Sequence, residues 1–295
     1  MPITFIENAA LRAGVAVHFG ARVVSLIDKA SGREWMTQGG ESANTGEDAR
    51  YSFAEAVGWD ECFPTVSRWD AGGTPWGRNL RDHGDLWGRP ATLDAQTGTS
   101  LAVSFSTPEY RFARRLELDG NTLVARYAAE NHGDRPLPYL WALHALLAAD
   151  AGDRMLLPGI DTARAVYLSG VDRNALPASL PWHTGNPLLP FPLAEVQPRN
   201  ANFAAKLYTD EPGDRRALVG RDGSWLELNW DNTISHLGIW LTYGAWPQQV
   251  GGHQEVAIEP TNTPADHLGQ AIEQGAAPLA PGEQRRWWVR FTVRE

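Results

Sequence analysis

The chain has 295 residues, of which 43% are hydrophobic and 21% charged, as expected of a globular protein with a substantial core. Its net charge of −9 comes without a basic block, which argues against nucleic acid or an anionic membrane surface as the main partner. The single cysteine, Cys62, excludes an intrachain disulfide and fits a reducing compartment.

The predicted elements are strands from beginning to end. In chain order they are 16–19, 22–28, 100–106, 110–118, 122–130, 138–149, 154–158, 165–169, 203–209, 216–220, 225–230, 236–243, 255–258 and 286–294. The segments 38–50, 51–90 and 171–202 lack regular periodicity and are predicted loops. The first eight residues lack the basic region and apolar run of a signal peptide, so we expect a cytoplasmic protein.

These elements predict an all-β protein. Few helices, no alternation of strands with helices and no repeat of fixed period are present in the pattern. So many strands require two large packed sheets. We therefore expect a large antiparallel β-sandwich, with residues 1–295 forming one domain.

One carboxylate near the C-terminus has the chemistry of a catalytic base. Glu259 follows the apolar strand 255–258, and Pro260 is predicted to end that strand. Asp266 is predicted to cap a short helix from 267 to 274. An acid at a strand exit can be held rigidly and partly desolvated, although a plain strand-end acid bonded to backbone is the alternative.

Two histidines offer the matching acid. His144 lies in the apolar run 140–147, where it is either a core histidine bonded to backbone or a functional group. His83 lies in a glycine-rich segment, where packing gives no reason for it, although an ordinary exposed histidine fits as well. The sequence therefore offers proton-transfer groups in three separate segments.

The sequence contains no motif for a metal site, a phosphate-binding loop or a serine nucleophile. The eight histidines and one cysteine show no metal-ligand spacing, so no metal site is predicted. There is no phosphate-binding glycine loop and no Gly-x-Ser-x-Gly elbow, so no cofactor is predicted. The 13 tryptophans, several of them beside charged residues, favour a sugar as the small-molecule partner, although many of these rings are expected in the core.

Several short motifs together resemble the aldose 1-epimerase, or galactose mutarotase-like, superfamily. They are Gly20-Ala21 through Ser25-Leu26, Asp82-His83-Gly84, Trp141-Ala142-Leu143-His144, residues 204–208 and 238–241, and Ile258-Glu259-Pro260 with 263–268. Each motif is short, but their order and spacing cover nearly the whole chain.

This resemblance implies both a fold and a mechanism. The fold would be the β-supersandwich, with the site in the groove of one sheet. Glu259 would take the proton from the anomeric hydroxyl, and His144 would give a proton to the ring oxygen. His83 would bond the ring oxygen or a neighbouring hydroxyl. The ring would open, rotate and reclose on the other face without metal or cofactor.

The motifs that grip sugar hydroxyls in the well-known family members are not evident here. Residues of the corresponding stretch and of the opposite side of the groove are predicted to contact the sugar instead: Trp59, Asp60, Glu61, Trp87, Arg89, Trp240 and Tyr243.

The sequence is also compatible with three alternatives. A hexose 6-phosphate could be held by Arg68, Arg78, Arg81 and Arg89. A carbohydrate-binding protein without catalysis could use the same groove. A hydrolase or lyase would need a second carboxylate facing Glu259, for which Asp60 or Glu61 are the candidates.

Overall fold

The computed structural model describes residues 2–39, 51, 56–209, 212–246 and 252–295. In this part of the chain, the regular elements are β-strands β1 to β20, two single 3-10 turns and one six-residue α-helix. Neighbouring strands in the sheets pair antiparallel. The predicted all-β antiparallel class is confirmed. None of the helices in these ranges is long and apolar enough to cross a membrane.

Ten strands form the larger sheet. Numbered along the chain and given in spatial order, they are β1 (Thr4–Glu7), β2 (Leu11–Ala16), β3 (Arg22–Asp28), β4 (Trp59–Cys62), β11 (Ala142–Ala148), β19 (Gln254–Thr261), β18 (His236–Tyr243), β15 (Phe203–Thr209), β13 (Thr162–Leu168) and β14 (Leu180–Pro181).

Eight strands form the second sheet. In spatial order they are β12 (Arg154–Leu156), β16 (Arg216–Arg221), β17 (Ser224–Trp230), β20 (Gln284–Arg294), β10 (Thr122–Asn131), β9 (Tyr110–Asp119), β8 (Ser100–Ser106) and β7 (Thr92–Gln96). A separate short pair is formed by β5 (Trp69–Asp70) and β6 (Asn79–Leu80).

The core lies between the two large sheets. Strand β9 shows the reason, because its buried and less buried residues alternate as the period of a strand requires. Trp59 of β4 packs on Phe291 of β20 with ring centroids 4.6 Å apart, which joins the two sheets directly. Burying one large apolar side chain stabilises the fold by about 1.5–3 kcal/mol. The other face of the ten-stranded sheet is thereby left free to form a groove.

The predicted end of the strand at Pro260 is wrong. Strand β19 continues to Thr261, so Glu259 lies inside a central strand and not at its exit. Proline is tolerated because the pairing of β19 with β11 is interrupted there: paired residues are Ala142 with Thr261 and then Leu146 with Ala257. Glu259 is consequently held more rigidly than a strand-end residue would be.

The predicted helix is present, but its cap is different. The helix α1 runs from Leu268 to Glu273, and His267 is its N-cap, with its ring nitrogen accepting from the Gln270 backbone N–H. Asp266 instead accepts a hydrogen bond from the Tyr208 hydroxyl, at 2.8 Å. This carboxylate is thereby free of the helix and points to the groove side of the sheet.

The predicted loop 51–90 contains a strand of the ten-stranded sheet. Strand β4 (Trp59–Cys62) has four buried residues, so it shows no alternation of apolar and polar side chains. It pairs with β11, which places Asp60 opposite His144. This strand brings the polar stretch of the loop to the centre of the groove.

Candidate functional site

A cavity of about 250 Å³ opens on the groove face of the ten-stranded sheet. Glu259, His144 and His83 all line it, and they come from β19, β11 and the loop that follows β6. Lys206, Trp240 and Asp266 complete its principal wall. The structure therefore brings the three predicted proton-transfer groups together around one space.

Strand register explains this convergence. The pairs Ala142–Thr261 and Leu146–Ala257 place His144 of β11 directly opposite Glu259 of β19. These two pairs share one register although the ladder is interrupted between them, and both side chains line the same cavity. One strand further, Gly238 of β18 pairs with Glu259. The acid and the base are thus neighbours on one face of the sheet.

His144 is oriented by a buried carboxylate. Its Nδ1–H donates to Asp60 Oδ1 at 2.7 Å, and Asp60 Oδ2 accepts from the Arg22 guanidinium at 2.7 Å. This arrangement leaves Nε2 of His144 as the nitrogen available to a ligand. Arg22 and Asp60 are both about 2% exposed or less, so their pairing is shielded from water.

The pKa values of this pair favour a protonated, positively charged His144 beside an ionised Asp60. Burial lowers the pKa of His144, but the charge and hydrogen bond of Asp60 outweigh it, and the pKa stands above its ordinary value. Burial raises the pKa of Asp60, yet Arg22 and His144 outweigh it and hold that pKa at about 2. Asp60 therefore stays ionised and favours a protonated His144.

Glu259 is paired with a lysine that sequence reasoning missed as a site residue. Glu259 is 2% exposed, and its Oε2 accepts a short hydrogen bond from the Lys206 ammonium. Its Oε1 is buried and has no hydrogen-bond partner among the described residues. One carboxylate oxygen is thus fixed by a cation, while the other remains available as an acceptor.

A glycine provides the room for this carboxylate. A Cβ placed on Gly238 would lie 3.1 Å from Glu259 Oε2 and 3.3 Å from the Tyr208 ring. Lys206 lies on β15 in register with Trp240, two pairs along from the pairing of Tyr208 with Gly238 and therefore on the same face of the sheet. The missing side chain lets Glu259 and Lys206 meet over β18.

His83 is presented by an unusual backbone. Its φ is +59°, a left-handed conformation that few non-glycine residues adopt. Its ring stacks on Tyr51 with centroids 3.6 Å apart, and it stands 4.8 Å from the His144 ring. The following Gly84 leaves no room for a side chain, because a Cβ there would lie 2.2 Å from the Phe63 carbonyl oxygen. The loop is therefore tied down where it carries His83.

Strand alternation places two of the predicted sugar contacts away from the cavity. Asp60 faces the groove, so Trp59 and Glu61 face the core. Glu61 accepts hydrogen bonds there from Trp59, Arg114, Tyr127 and Trp141 at 2.9 Å each. Sequence reasoning treated Trp59, Asp60 and Glu61 as one contact group, but only Asp60 adjoins the cavity, through His144.

Three further predicted contacts also lie outside the cavity lining. Trp87 is fully buried and donates its indole N–H to the Asp82 carbonyl, with its ring edge against Tyr51. Tyr243 is 1% exposed and packs on Phe203 in the core. Arg89 lines a different cavity. Of the seven predicted sugar contacts, Trp240 is the one that lines the space shared by Glu259 and His144.

Sequence reasoning also missed Asp82, Asp266 and Tyr51 as wall residues of the cavity. Asp82 precedes His83, and its carboxylate stands 3.4 Å from the His83 ring nitrogen Nδ1. Burial raises the pKa of Asp82, but the adjacent His83 outweighs it and the net shift is downward. The sequence signal for Asp82 was its position next to His83, and that for Asp266 was its position between Glu259 and the predicted helix.

One group of side chains in the described ranges has the donor atoms of a metal site. Cys62, His83 and His144 bring one ligand atom each within 4.8 Å of one another. Sequence spacing could not reveal them because they come from three segments. Burial raises the pKa of the Cys62 thiol, which opposes the thiolate form that binds metals.

The chain matches no family sequence model and no curated protein. Solved structures are similar over nearly the whole chain. A protein of Escherichia coli K12 named as a candidate aldose 1-epimerase has a TM-score of 0.72 at 16% identity, covering 99% of each chain. A galactose mutarotase-like protein of Lactobacillus casei has a TM-score of 0.68 at 14% identity, covering 99% of this chain and 100% of that one.

A third similar structure is a galactose mutarotase-like protein of Clostridium acetobutylicum, with a TM-score of 0.67 at 15% identity, covering 99% of this chain and 94% of that one. The chain therefore has the galactose mutarotase-like sandwich fold, and the resemblance predicted from its short motifs is confirmed at the level of the fold.

Proposed function

We propose that this protein is an aldose 1-epimerase that interconverts the α and β anomers of a free sugar. The observation that carries the proposal is the cross-strand pair of Glu259 and His144, a carboxylate and a histidine favoured as a cation, in one cavity. Proteins named as aldose 1-epimerases or mutarotase-like share the fold, which supports the same conclusion.

Glu259 is the proposed base. Lys206 fixes Oε2 and keeps a positive charge beside the buried carboxylate, so the ionised form is compensated. Oε1, without a partner among the described residues, accepts the proton of the anomeric hydroxyl. Electrons from that oxygen form the carbonyl as the bond from C1 to the ring oxygen breaks.

His144 is the proposed acid. As the ring opens, Nε2 gives its proton to the departing ring oxygen, and Asp60 stabilises the cation beforehand through Nδ1. Rotation about the C1–C2 bond then presents the other face of the aldehyde. Reversal of both proton transfers closes the ring and returns Glu259 and His144 to their starting states.

His83 and Trp240 complete the proposed site. The His83 ring adjoins His144 and is held by stacking on Tyr51, so it can bond the ring oxygen or a hydroxyl beside it. Trp240 offers an aromatic face to the C–H groups of the sugar. Acid and base catalysis each contribute about 10²–10⁴-fold in rate.

Three of the four arginines expected to bind a phosphate, Arg78, Arg81 and Arg89, line a different cavity, whereas the charge of Arg68 acts on Asp82 in the wall of this one. Arg78 pairs with Asp85, and Arg81 donates to the backbone carbonyls of Gly84, Asp85 and Trp87. The cluster of arginines predicted for a phosphate is therefore absent from this cavity among the described residues, which favours an unphosphorylated sugar over a hexose 6-phosphate.

The carboxylates proposed as hydrolytic partners of Glu259 are committed elsewhere. Asp60 is held by Arg22 and His144, and Glu61 lies in the core with four donors. Glycoside hydrolysis needs two carboxylates free to face the scissile bond. Neither of these two therefore supplies the second carboxylate that a hydrolase would need.

The test is the rate of anomeric exchange in freshly dissolved free aldoses, measured by exchange NMR with and without the protein. We expect faster exchange for at least one free aldose and none for its methyl glycoside, which has no anomeric hydroxyl proton for Glu259 to remove. Binding by calorimetry with no acceleration of any aldose would instead establish a carbohydrate-binding protein. Release of new reducing ends from oligosaccharides would establish a hydrolase.

A further inference from the structure

A second cavity adjoins the first along the groove. It has a volume of about 270 Å³, and Asp266 lines both cavities. Its other walls include Tyr167, Leu176 and Arg173. Apolar side chains beside charged ones are the lining that sugar rings require, because their C–H faces are apolar and their hydroxyls are polar. The groove therefore continues beyond the proposed reaction site.

An irregularity in strand β13 turns an aromatic ring into this continuation. Ala165 pairs with Leu207 and Tyr167 pairs with Lys206, so Val166 is an extra residue on β13. Such a bulge re-aims the side chain that follows it, and bulges are enriched beside functional sites. Tyr167 consequently lies in the same row as Lys206 and Trp240 on the groove face.

Tyr167 forms an exposed platform with the aromatic wall of the reaction site. Its ring lies 6.1 Å from that of Trp240 at an interplanar angle of 22°. Tyr167 is 41% exposed, so its ring is accessible to a ligand in the second cavity, which it lines. Two nearly parallel aromatic faces thus extend from the first cavity to the second.

From these features we infer that the site accepts a reducing disaccharide, with the second ring seated between Tyr167, Asp266 and Arg173. The inference rests on the proposed function, which it extends to a substrate class. Tyr167 stacks on the second ring, and the Arg173 guanidinium and the Asp266 carboxylate bond its hydroxyls.

The proposed chemistry also sets the linkage. In a pyranose ring, C1 lies between the ring oxygen and C2. With the ring oxygen at His144 on β11 and the anomeric hydroxyl at Glu259 on β19, C2 points toward β18, β15 and β13. A second ring on O2 or O3 then enters the second cavity, whereas one on O6, next to the ring oxygen, extends the opposite way. The preferred substrates are 2- or 3-linked disaccharides.

The test compares glucose with three of its reducing disaccharides: 2-linked kojibiose, 3-linked nigerose and 6-linked isomaltose. KM and kcat for anomeric exchange are measured by NMR for the wild-type protein and Tyr167→Ala. We expect kojibiose or nigerose to have a lower KM than glucose and isomaltose. Tyr167→Ala should raise the KM of the preferred disaccharide about tenfold and leave KM and kcat for glucose unchanged.

A matched control is Phe5→Ala, which removes an aromatic ring of equal exposure, 40%, from the far edge of the same sheet. It should change none of these constants, and Arg173→Ala should act like Tyr167→Ala. Equal KM values for all four sugars, or an unchanged preference in Tyr167→Ala, would overturn the second subsite while the epimerase proposal stands.

If no sugar shows accelerated exchange, the epimerase proposal fails, and calorimetry decides the subsite separately. Tighter binding of kojibiose or nigerose than of glucose, lost in Tyr167→Ala, would support the second ring site. Equal binding of the disaccharides and glucose would overturn it.

Discussion

Replacing Asp60 by asparagine tests whether this carboxylate controls the charge of His144. The substitution keeps the size and one acceptor oxygen but removes the charge that stands 2.7 Å from both His144 Nδ1 and the Arg22 guanidinium. In the wild-type protein, Asp60 outweighs the burial that lowers the pKa of His144. In Asp60→Asn, His144 is still buried but no longer has the Asp60 charge beside it, so the pKa of His144 should fall below its ordinary value.

The size of the effect follows from the protonated fraction. Each unit lost from the pKa of His144 costs about 1.4 kcal/mol and about a factor of ten in the protonated fraction at higher pH. We therefore expect the exchange rate at pH 7.5 to fall about 10- to 100-fold, with much of it regained below about pH 6. The wild-type exchange rate should decline only at a higher pH, because the raised pKa of its His144 keeps this group protonated to a higher pH.

The assay is a pH profile of anomeric exchange by NMR, together with titration of the His144 ring proton signal. Asp85→Asn is the matched control, since Asp85 is equally buried, pairs with Arg78 and lies outside the reaction cavity. It should lower stability without moving the profile. A His144 pKa that is unchanged or higher in Asp60→Asn, or a rate that falls by the same factor at every pH, would refute the reasoning.

Three further predictions concern the partners of these groups. Lys206→Met should slow exchange at neutral pH and lower the free energy of unfolding by about 3–5 kcal/mol, because the buried Glu259 carboxylate loses its counter-charge. Lys206→Arg should retain most of the exchange rate and most of the stability. Full exchange in Lys206→Met would contradict this role. Gly238→Ala should reduce kcat about tenfold or more, because the added Cβ would displace Glu259 Oε2. The control Gly73→Ala places its Cβ in open space and should leave kcat unchanged. Equal kcat values for the two variants would disprove the steric argument. The pKa of Asp60 is depressed from 3.8 to about 2 on folding, so its contribution to stability is present above 3.8 and lost as the pH falls toward 2. In urea unfolding, the stability difference between wild type and Asp60→Asn should therefore narrow by about 2 kcal/mol between pH 5 and pH 2, and a constant difference would contradict the low pKa.

The sequence predicted the fold class because alternation along strands such as β9 reflects the two-sheet core directly. It also selected Glu259, His144 and His83 by their chemistry and their resemblance to family motifs. Their meeting in one cavity depends on strand register, which no local pattern encodes. In particular, the opposition of His144 and Glu259 follows from pairs that lie 111–119 positions apart along the chain, Leu146 with Ala257 and Ala142 with Thr261.

The remaining site residues escaped prediction for physical reasons. Lys206 lies between apolar residues of β15, and its partner Glu259 is 53 positions away, so the ion pair exists only in the folded sheet. Trp59 and Glu61 could not be assigned to a face, because all four residues of β4 are buried and no alternation reveals which side is the groove. Had Asp60 been known to face the groove, strand alternation would have placed both Trp59 and Glu61 on the core face.

The central claim is that Glu259 removes the anomeric proton, and the most direct measurement is the exchange rate of Glu259→Gln. Exchange NMR on an accepted free aldose gives the rate, and calorimetry on the same samples gives the affinity for the sugar. We predict a loss of about 10²–10⁴-fold in the enzymatic rate, while binding is largely retained because the amide has nearly the shape of the carboxylate. An undiminished rate in folded Glu259→Gln would contradict the account.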